Sequence, residues 1–293
     1  MNRITLLDGG LGQELLKRSQ KEPTGLWSAT VLMDNPEIVY QLHRDYFSAG
    51  ADIATTNSYM LHHDRLSPFA MDDHFADLHR LACELAVRAR DAHGRGRVAG
   101  SLGPTGASYR PELAPPAEQA ADLFAEIARL QAPYVDILLC ETMASVDQAR
   151  GALMGAKCAE KPVWLAVTVD DMDGTRLRSG ENLLEILPVV DEFAPDALLV
   201  NCSVPEAINQ AIPLLVGRNV PVGAYANGFQ KISENFLRDG ATVNALKTRN
   251  NLDPDTYADF VDGWIVRGAT VVGGCCEIGP AHIRELDRRR SGK

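Results

Sequence analysis

Short apolar runs alternate with longer amphipathic stretches along the whole chain. Eight of the runs are rich in β-branched or other apolar residues and have little polar interruption, as strands buried on both faces do. They are Ile4–Leu7, Asp52–Thr56, Arg97–Ser101, Val135–Cys140, Val163–Val169, Ala197–Asn201, Val220–Ala224 and Ala269–Gly273. The pattern therefore predicts eight strands of a parallel sheet.

The longer stretches carry apolar residues at helical spacing. In the first of them, Ile38, Leu42 and Phe47 recur at about every fourth position, and Gly50 ends the segment. The predicted helices are Pro36–Ala49, Asp72–Ala92, Ala117–Gln131, Ser145–Ala159, Glu181–Phe193, Pro205–Val216, Asp255–Arg267 and Pro280–Arg289. One helix thus follows each predicted strand.

This order is typical of a closed α/β barrel, the (β/α)8 or TIM barrel. A doubly wound open sheet shows the same alternation and is the alternative. The chain of 293 residues suits one barrel, and no linker or low-complexity tract divides it. We therefore expect a single domain over residues 1–293.

Composition narrows the possible partners. The chain has 29 basic and 39 acidic residues, a net charge of −10 and a pI near 5.2, which argues against nucleic-acid binding. No run approaches the ~20 apolar residues of a membrane span, and the N-terminal apolar run is too short for a signal peptide. We expect a cytoplasmic protein that acts on small molecules, and the sequence leaves its oligomeric state open. Six cysteines are too few for a disulfide scaffold in a chain of this length.

Three of the cysteines fall at the predicted ends of strands. Cys202 follows the sixth strand, and Cys275 and Cys276 follow the eighth. In a barrel these ends face one cavity, and a catalytic zinc ion takes three protein ligands with a fourth position open. We expect the flexible backbone of Gly273-Gly274 to let both neighbouring thiols reach one ion. Three buried thiols that act as small hydrophobes, or a disulfide between Cys275 and Cys276, are the alternatives.

Two acids, Asp8 and Glu141, are also predicted at the mouth of the barrel, where no basic residue follows a neighbouring strand. A buried carboxylate needs a partner, and an ammonium group of a substrate would supply one. Hydrogen bonds from loop backbone are the alternative. Asp8 precedes Gly9-Gly10, but Leu15 breaks the dinucleotide-binding pattern G-x-G-x-x-G. The glycines suit close approach of a substrate carboxylate instead.

The chain resembles the zinc-dependent homocysteine S-methyltransferases. The motifs that carry the resemblance extend over nearly the whole chain and are LLDGGLGQEL, LWSATVL, GADIATTNSY, GSLGPTG, ILLCET, LLVNCS and VVGGCCEIGPAHI. The resemblance implies that Zn²⁺ is bound by Cys202, Cys275 and Cys276, with the sulfur of homocysteine as fourth ligand. It also implies that Asp8 and Glu141 hold the homocysteine ammonium and that the backbone of Gly9 and Gly10 meets its carboxylate.

The methyl donor is inferred from two further segments. The segment LWSA is similar to that of the enzymes that use S-methylmethionine, and the aromatic faces of Trp27 and Tyr59 would attract an onium methyl group. Betaine-dependent members carry a Tyr after the equivalent of Glu141, whereas this chain has Thr142. A further departure is Glu277, an acid directly after the cysteine pair. S-methylmethionine is the favoured donor, and the alternatives are betaine, another donor, or a non-catalytic zinc- or thiol-binding protein.

Overall fold

The computed structural model describes residues 3–20, 24–238 and 242–292. These residues form eight strands, all parallel to their neighbours. The strands are β1 (Thr5–Leu6), β2 (Ile53–Thr55), β3 (Arg97–Leu102), β4 (Ile137–Met143), β5 (Val163–Val167), β6 (Ala197–Asn201), β7 (Val222–Tyr225) and β8 (Val271–Val272). Each lies within or overlaps a strand predicted from the sequence.

The sheet closes into a barrel. Its strands pair in chain order from β2 to β8, β8 pairs with β1, and a parallel bridge between Leu7 and Ile53 joins β1 to β2. The predicted (β/α)8 barrel is therefore confirmed, and the open sheet is wrong for this chain. All eight strands end at the same rim, so the residues after them share one cavity.

Helices surround the barrel. The described α-helices are α1 (Leu11–Ser19), α2 (Ser28–Asp34), α3 (Pro36–Ser48), α4 (His63–Leu66), α5 (Phe75–His93), α6 (Ala117–Gln131), α7 (Val146–Ala156), α8 (Leu187–Phe193), α9 (Pro205–Leu215), α10 (Pro254–Val266) and α11 (Pro280–Arg290). The sequence analysis did not predict α1, α2 and α4, which lie in the segments that follow β1 and β2. Among the described residues, no helix combines the length and apolar character needed to cross a membrane.

Two apolar layers support the rim. Residues that point inward, such as Ile137 and Leu139, fill the barrel interior, while Leu138 and Cys140 pack outward against the helices. Alternation along β4 then directs the next inward position, Glu141, into the mouth of the barrel. Polar side chains of the site thus lie on an apolar floor.

Candidate active site

Cys202, Cys275 and Cys276 converge at the mouth of the barrel. Their three sulfur atoms all lie within 4.8 Å of one another. Cys202 and Cys275 stand as a disulfide pair with Cα atoms 5.8 Å apart, while Cys276 is a free thiol. The predicted convergence is confirmed, and the alternative pairing of Cys275 with Cys276 is wrong. The same sulfurs can bond to each other or, when reduced, bind a soft metal ion.

The backbone of Cys202 is unusual, with a φ of 48°, which non-glycine residues rarely adopt. Three hydrogen bonds hold it: its N–H donates to the carbonyl of Tyr225, and its carbonyl accepts from Thr168 Oγ1 and from Arg178 Nη2, each at 3.3 Å. The conformation ends the extended backbone of β6, whose last residue is Asn201. We regard these bonds as the reason that a strained residue persists at this position.

Arg178 is itself fixed by a buried ion pair. Its guanidinium makes two hydrogen bonds with Asp171, at 2.7 and 3.0 Å, and both side chains are less than a tenth exposed. The Asp171 carboxylate also accepts from the N–H groups of Val204 and Ile232. One carboxylate therefore ties together the loops that follow β5, β6 and β7.

The turn that carries Cys275 and Cys276 is bonded to two other strand ends. Gly274 N donates to the carbonyl of Asp8, and Cys275 N donates to that of Ala226, both at 2.9 Å. Neither Gly273 nor Gly274 has a positive φ, so the expected reason for these glycines is wrong. They are needed for close packing, because a Cβ on Gly274 would lie 2.2 Å from the side chain of Ile278.

Asp8 is buried beside the sulfurs. One carboxylate oxygen accepts from Thr55 N at 2.7 Å, and the other accepts from Thr55 Oγ1 at 2.9 Å. Burial raises the pKa of Asp8 from 3.8 to about 8; the Thr55 hydrogen bonds oppose this shift and the nearby Glu141 adds to it. Among the described residues no basic side chain pairs with Asp8, so a cationic ligand would have no competitor for this carboxyl group.

Glu141 lies in the same cavity and is buried as well. Its carboxylate accepts from Ser101 Oγ at 2.5 Å and from Tyr225 Oη at 3.0 Å. Burial raises its pKa, although both hydrogen bonds oppose the change. Ser101 and Tyr225 were visible as strand-end residues, but no sequence pattern assigned them this role.

An amide next to the first cysteine shapes the end of β4. The side chain of Asn201 accepts from Thr142 N at 3.0 Å and donates to Thr142 Oγ1 at 2.9 Å. Thr142 has a φ of 64°, and the pairing of β4 with β5 shifts register between Cys140 and Met143. Because Glu141 and Thr142 are the irregular residues between those two positions, the bonds from Asn201 to Thr142 support the position of that acid. The sequence analysis missed this contact.

The glycines after Asp8 pack against the cysteine turn. Gly10 N donates to the carbonyl of Ile278 at 2.9 Å, and a Cβ on Gly10 would lie 2.5 Å from the carbonyl oxygen of Cys275. A Cβ on Gly9 would lie 2.0 Å from the carbonyl oxygen of Ile278. Side chains at either position would therefore displace the loop that carries two of the sulfurs.

A cavity of about 690 Å³ opens above these groups. It is lined by the three cysteines, by both acids and by an aromatic wall that includes Trp27, Tyr59 and Tyr109. The rings of Trp27 and Tyr59 meet edge to face with centroids 6.4 Å apart. The structure therefore brings every predicted site residue to one cavity, together with Tyr109 and Phe236, which the sequence analysis did not single out.

Known proteins match both the sequence and the fold. A family profile described as Homocysteine S-methyltransferase matches residues 5–290. Homocysteine S-methyltransferase of Escherichia coli (strain K12) is 32% identical over 98% of this chain and 95% of its own length. Homocysteine S-methyltransferase YbgG of Bacillus subtilis (strain 168) is 27% identical over 97% of this chain and 93% of its own length.

Solved structures agree with this assignment. The metallated form of the homocysteine methyltransferase MmuM from Escherichia coli superposes with a TM-score of 0.81 at 27% identity, and the match covers 98% of this chain and 96% of that one. An oxidized form of the same enzyme superposes equally well. With a profile that spans almost the whole chain and a sulfur triad at the rim of its barrel, the chain belongs to the homocysteine S-methyltransferase family.

Proposed function

We propose that this enzyme transfers a methyl group from S-methylmethionine to homocysteine and binds zinc through Cys202, Cys275 and Cys276. As a member of its family it methylates homocysteine to methionine; the donor, the metal and the residue roles are the proposal. The observation that carries it is the meeting of three sulfurs and two buried acids in one cavity.

The donor set fits zinc. Three thiols whose sulfurs lie within 4.8 Å of one another match the three protein ligands of a catalytic zinc site, which keeps a further position open. Without a cation, burial raises the pKa of the Cys276 thiol to about 12. Zinc, when bound, would make a coordinated thiol give up its proton at neutral pH, where a free alkyl thiol is mostly protonated.

Asp8 and Glu141 suit the ammonium group of homocysteine. Both carboxylates are buried in the cavity wall, and neither has a cationic partner among the described residues. An ammonium placed between them would favour their ionised forms and offset the cost of burying those charges. It would also orient the amino acid with its sulfur toward the cysteines. For the substrate carboxylate we propose the N–H of Gly9, because that of Gly10 donates to Ile278.

The aromatic wall suits a positively charged donor. A sulfonium methyl group is attracted to an aromatic face by about 0.5–2 kcal/mol, most strongly by Trp. The guanidinium of Arg65 already lies over the Tyr59 ring, 5.6 Å from its centroid. We therefore assign the main contact with the donor cation to Trp27 and an edge contact to Tyr59.

The reaction would then be a direct displacement. The sulfur of homocysteine attacks the methyl carbon in line, the carbon–sulfur bond of the donor breaks, and its electron pair stays on the donor sulfur. One methionine forms from the acceptor and one from the demethylated donor, and the thiol proton passes to solvent. The residues named here hold both substrates at near-attack distance and exclude water from the charged groups.

Betaine is a less suitable donor for this cavity. The residue after Glu141 is Thr142, whose hydroxyl is used by Asn201 and which adds no ring to the wall. A panel of donors tests the proposal: zinc-loaded, reduced protein is incubated with homocysteine and either S-methylmethionine or glycine betaine, and methionine is measured. Methionine from S-methylmethionine at a rate far above that from betaine is expected. Turnover with betaine alone, or with neither donor, would contradict the proposed donor.

A further inference from the structure

Glu277 follows the cysteine pair directly, yet its charge is directed to helix α1. Its backbone has a φ of 66° and its side chain is only 8% exposed. One carboxylate oxygen accepts from Gln13 Nε2 at 2.9 Å, and the other accepts from Lys17 Nζ at 3.0 Å. Gln13 and Lys17 are four residues apart on α1 and therefore lie on one face of it. Lys17 balances the charge of Glu277.

Gln13 continues the contact to the aromatic wall. Its side-chain oxygen accepts from the indole N–H of Trp27 at 3.0 Å. A carboxylate can only accept and an indole nitrogen can only donate, whereas an amide does one at each end. Glu277 therefore dictates which end of the Gln13 amide faces Trp27, and a rotated amide would lose both bonds.

Trp27 depends on this support. Its backbone has a φ of 47°, a strained value for a bulky residue, and its ring packs against the backbone of Gly12 so closely that a Cβ there would lie 2.1 Å from Trp27 Cζ2. The polar edge of the ring is held by Gln13, and the ring meets Tyr59 edge to face. The orientation of the indole in the cavity is thus set from α1.

From these contacts we infer that Gln13 is a positioning residue for the methyl donor, and that the series Glu277–Gln13–Trp27 couples the cysteine turn to the aromatic wall. This inference rests on the proposed function in one respect, the assignment of the donor cation to Trp27. The series places the indole relative to Cys276, so it sets where the donor methyl group stands relative to the attacking sulfur. The acceptor acids Asp8 and Glu141 are not part of it.

Three variants test the series by steady-state kinetics of the zinc-loaded enzyme. Gln13→Leu removes the acceptor of the Trp27 N–H, and kcat/KM for S-methylmethionine should fall about two- to tenfold, the range expected for one net hydrogen bond. In Gln13→Glu, kcat/KM for S-methylmethionine should fall further, because the new carboxylate faces that of Glu277. The double variant Gln13→Glu with Glu277→Gln exchanges the donor and the acceptor of that hydrogen bond. It should recover most of the lost kcat/KM. KM for homocysteine and zinc content should stay unchanged throughout.

Gln41→Leu is the matched control. Gln41 donates to Glu37 at 2.9 Å on the exposed face of α3, so the change removes a similar Gln–Glu bond away from the cavity. It should leave kcat/KM for the donor unchanged. If Gln13→Leu behaves like this control, or if it changes zinc content and both substrates alike, the inference is wrong.

A measurement that needs no catalytic turnover tests this inference independently of the proposed donor. The chain has three tryptophans, and the indole N–H signal of Trp27 in nitrogen-15 NMR is assigned by its loss in Trp27→Phe. That signal should move in Gln13→Leu and return in the double variant, whichever donor the enzyme uses. Absence of turnover with S-methylmethionine in the unaltered enzyme would contradict the proposed function alone, whereas an unmoved indole signal would overturn the series.

Discussion

We expect the carboxyl group of Asp8 to lower the folding stability and to strengthen homocysteine binding. The variant Asp8→Asn should separate these two effects. The pKa of this buried carboxyl is raised from 3.8 to about 8, so between those pH values the folded protein keeps a proton that the unfolded chain releases. Folding stability therefore falls as pH rises through this range. Asn cannot ionise, and its amide can still accept from Thr55 N and donate to Thr55 Oγ1.

The size of this stability cost follows from the interval between the two pKa values of Asp8. Each pH unit between the two pKa values is worth about 1.4 kcal/mol, so at pH 7 the fold bears a cost of up to about 4 kcal/mol that the variant lacks. The difference in unfolding free energy between Asp8→Asn and the parent should thus increase from pH 5 to pH 8 in favour of the variant. Above the raised pKa both states of the parent are ionised, and the difference should level off.

Urea unfolding of the reduced, metal-free protein at pH 5, 6, 7 and 8 measures this difference. Asp122→Asn makes the same exchange at an exposed position of α6 and is the control for the substitution itself. A difference for Asp8→Asn that is constant with pH, or that turns against the variant at pH 8, would refute the argument from burial.

The same variant should lose affinity for homocysteine. A charged hydrogen bond to the ammonium is worth about 1.5–3 kcal/mol, so KM for homocysteine should rise roughly 10- to 150-fold at saturating donor. Zinc content should not change, because Asp8 is not among the sulfur ligands. A variant that is more stable yet binds homocysteine as the parent does would remove Asp8 from the ammonium site.

Three further outcomes are expected. Cys202→Ala should lose both zinc and homocysteine methylation; stoichiometric zinc in the purified variant, measured by atomic absorption, would contradict the ligand assignment. Glu141→Gln should raise KM for homocysteine about tenfold or more with zinc content unchanged, and an unchanged homocysteine dependence in initial rates would exclude the proposed role. Mild oxidation of the metal-free protein should link Cys202 to Cys275, leave Cys276 as a free thiol and block zinc uptake until reduction. Alkylation after unfolding, followed by peptide mass mapping, identifies the free thiol, and finding Cys276 in the bond would contradict the geometry.

The sequence predicted the barrel well because strands buried on both faces leave a strong apolar signal. β6 was predicted with its observed bounds, Ala197–Asn201, and α6 likewise as Ala117–Gln131. The helices α1 and α2 were missed because the sequence analysis assigned one helix to each strand and took Pro36–Ala49 as the helix after β1. Their apolar residues, such as Leu15 and Leu32, were assigned to no element.

The parts of the candidate site that lie directly after a strand could be predicted from the sequence. The contacts between side chains of different elements could not. The convergence of Cys202 with Cys275 and Cys276 follows from the barrel rule alone. The contact of Asn201 with Thr142 and that of Glu277 with Gln13 join residues 59 and 264 positions apart. No local sequence pattern predicts such contacts, because each depends on the side-chain rotamers that the residues adopt at the rim of the folded barrel.

Asp171 has a consequence for anyone who redesigns this enzyme. Its single carboxylate receives Arg178 from its own loop, Val204 from the next loop and Ile232 from the one after. Exchanging the loop after β5 for that of another protein would leave the N–H groups of Val204 and Ile232 without their shared acceptor. It would also remove the hydrogen bond from Arg178 to the carbonyl of Cys202. Transplanted loops should therefore be grafted as a set of three, with the acid and its arginine included.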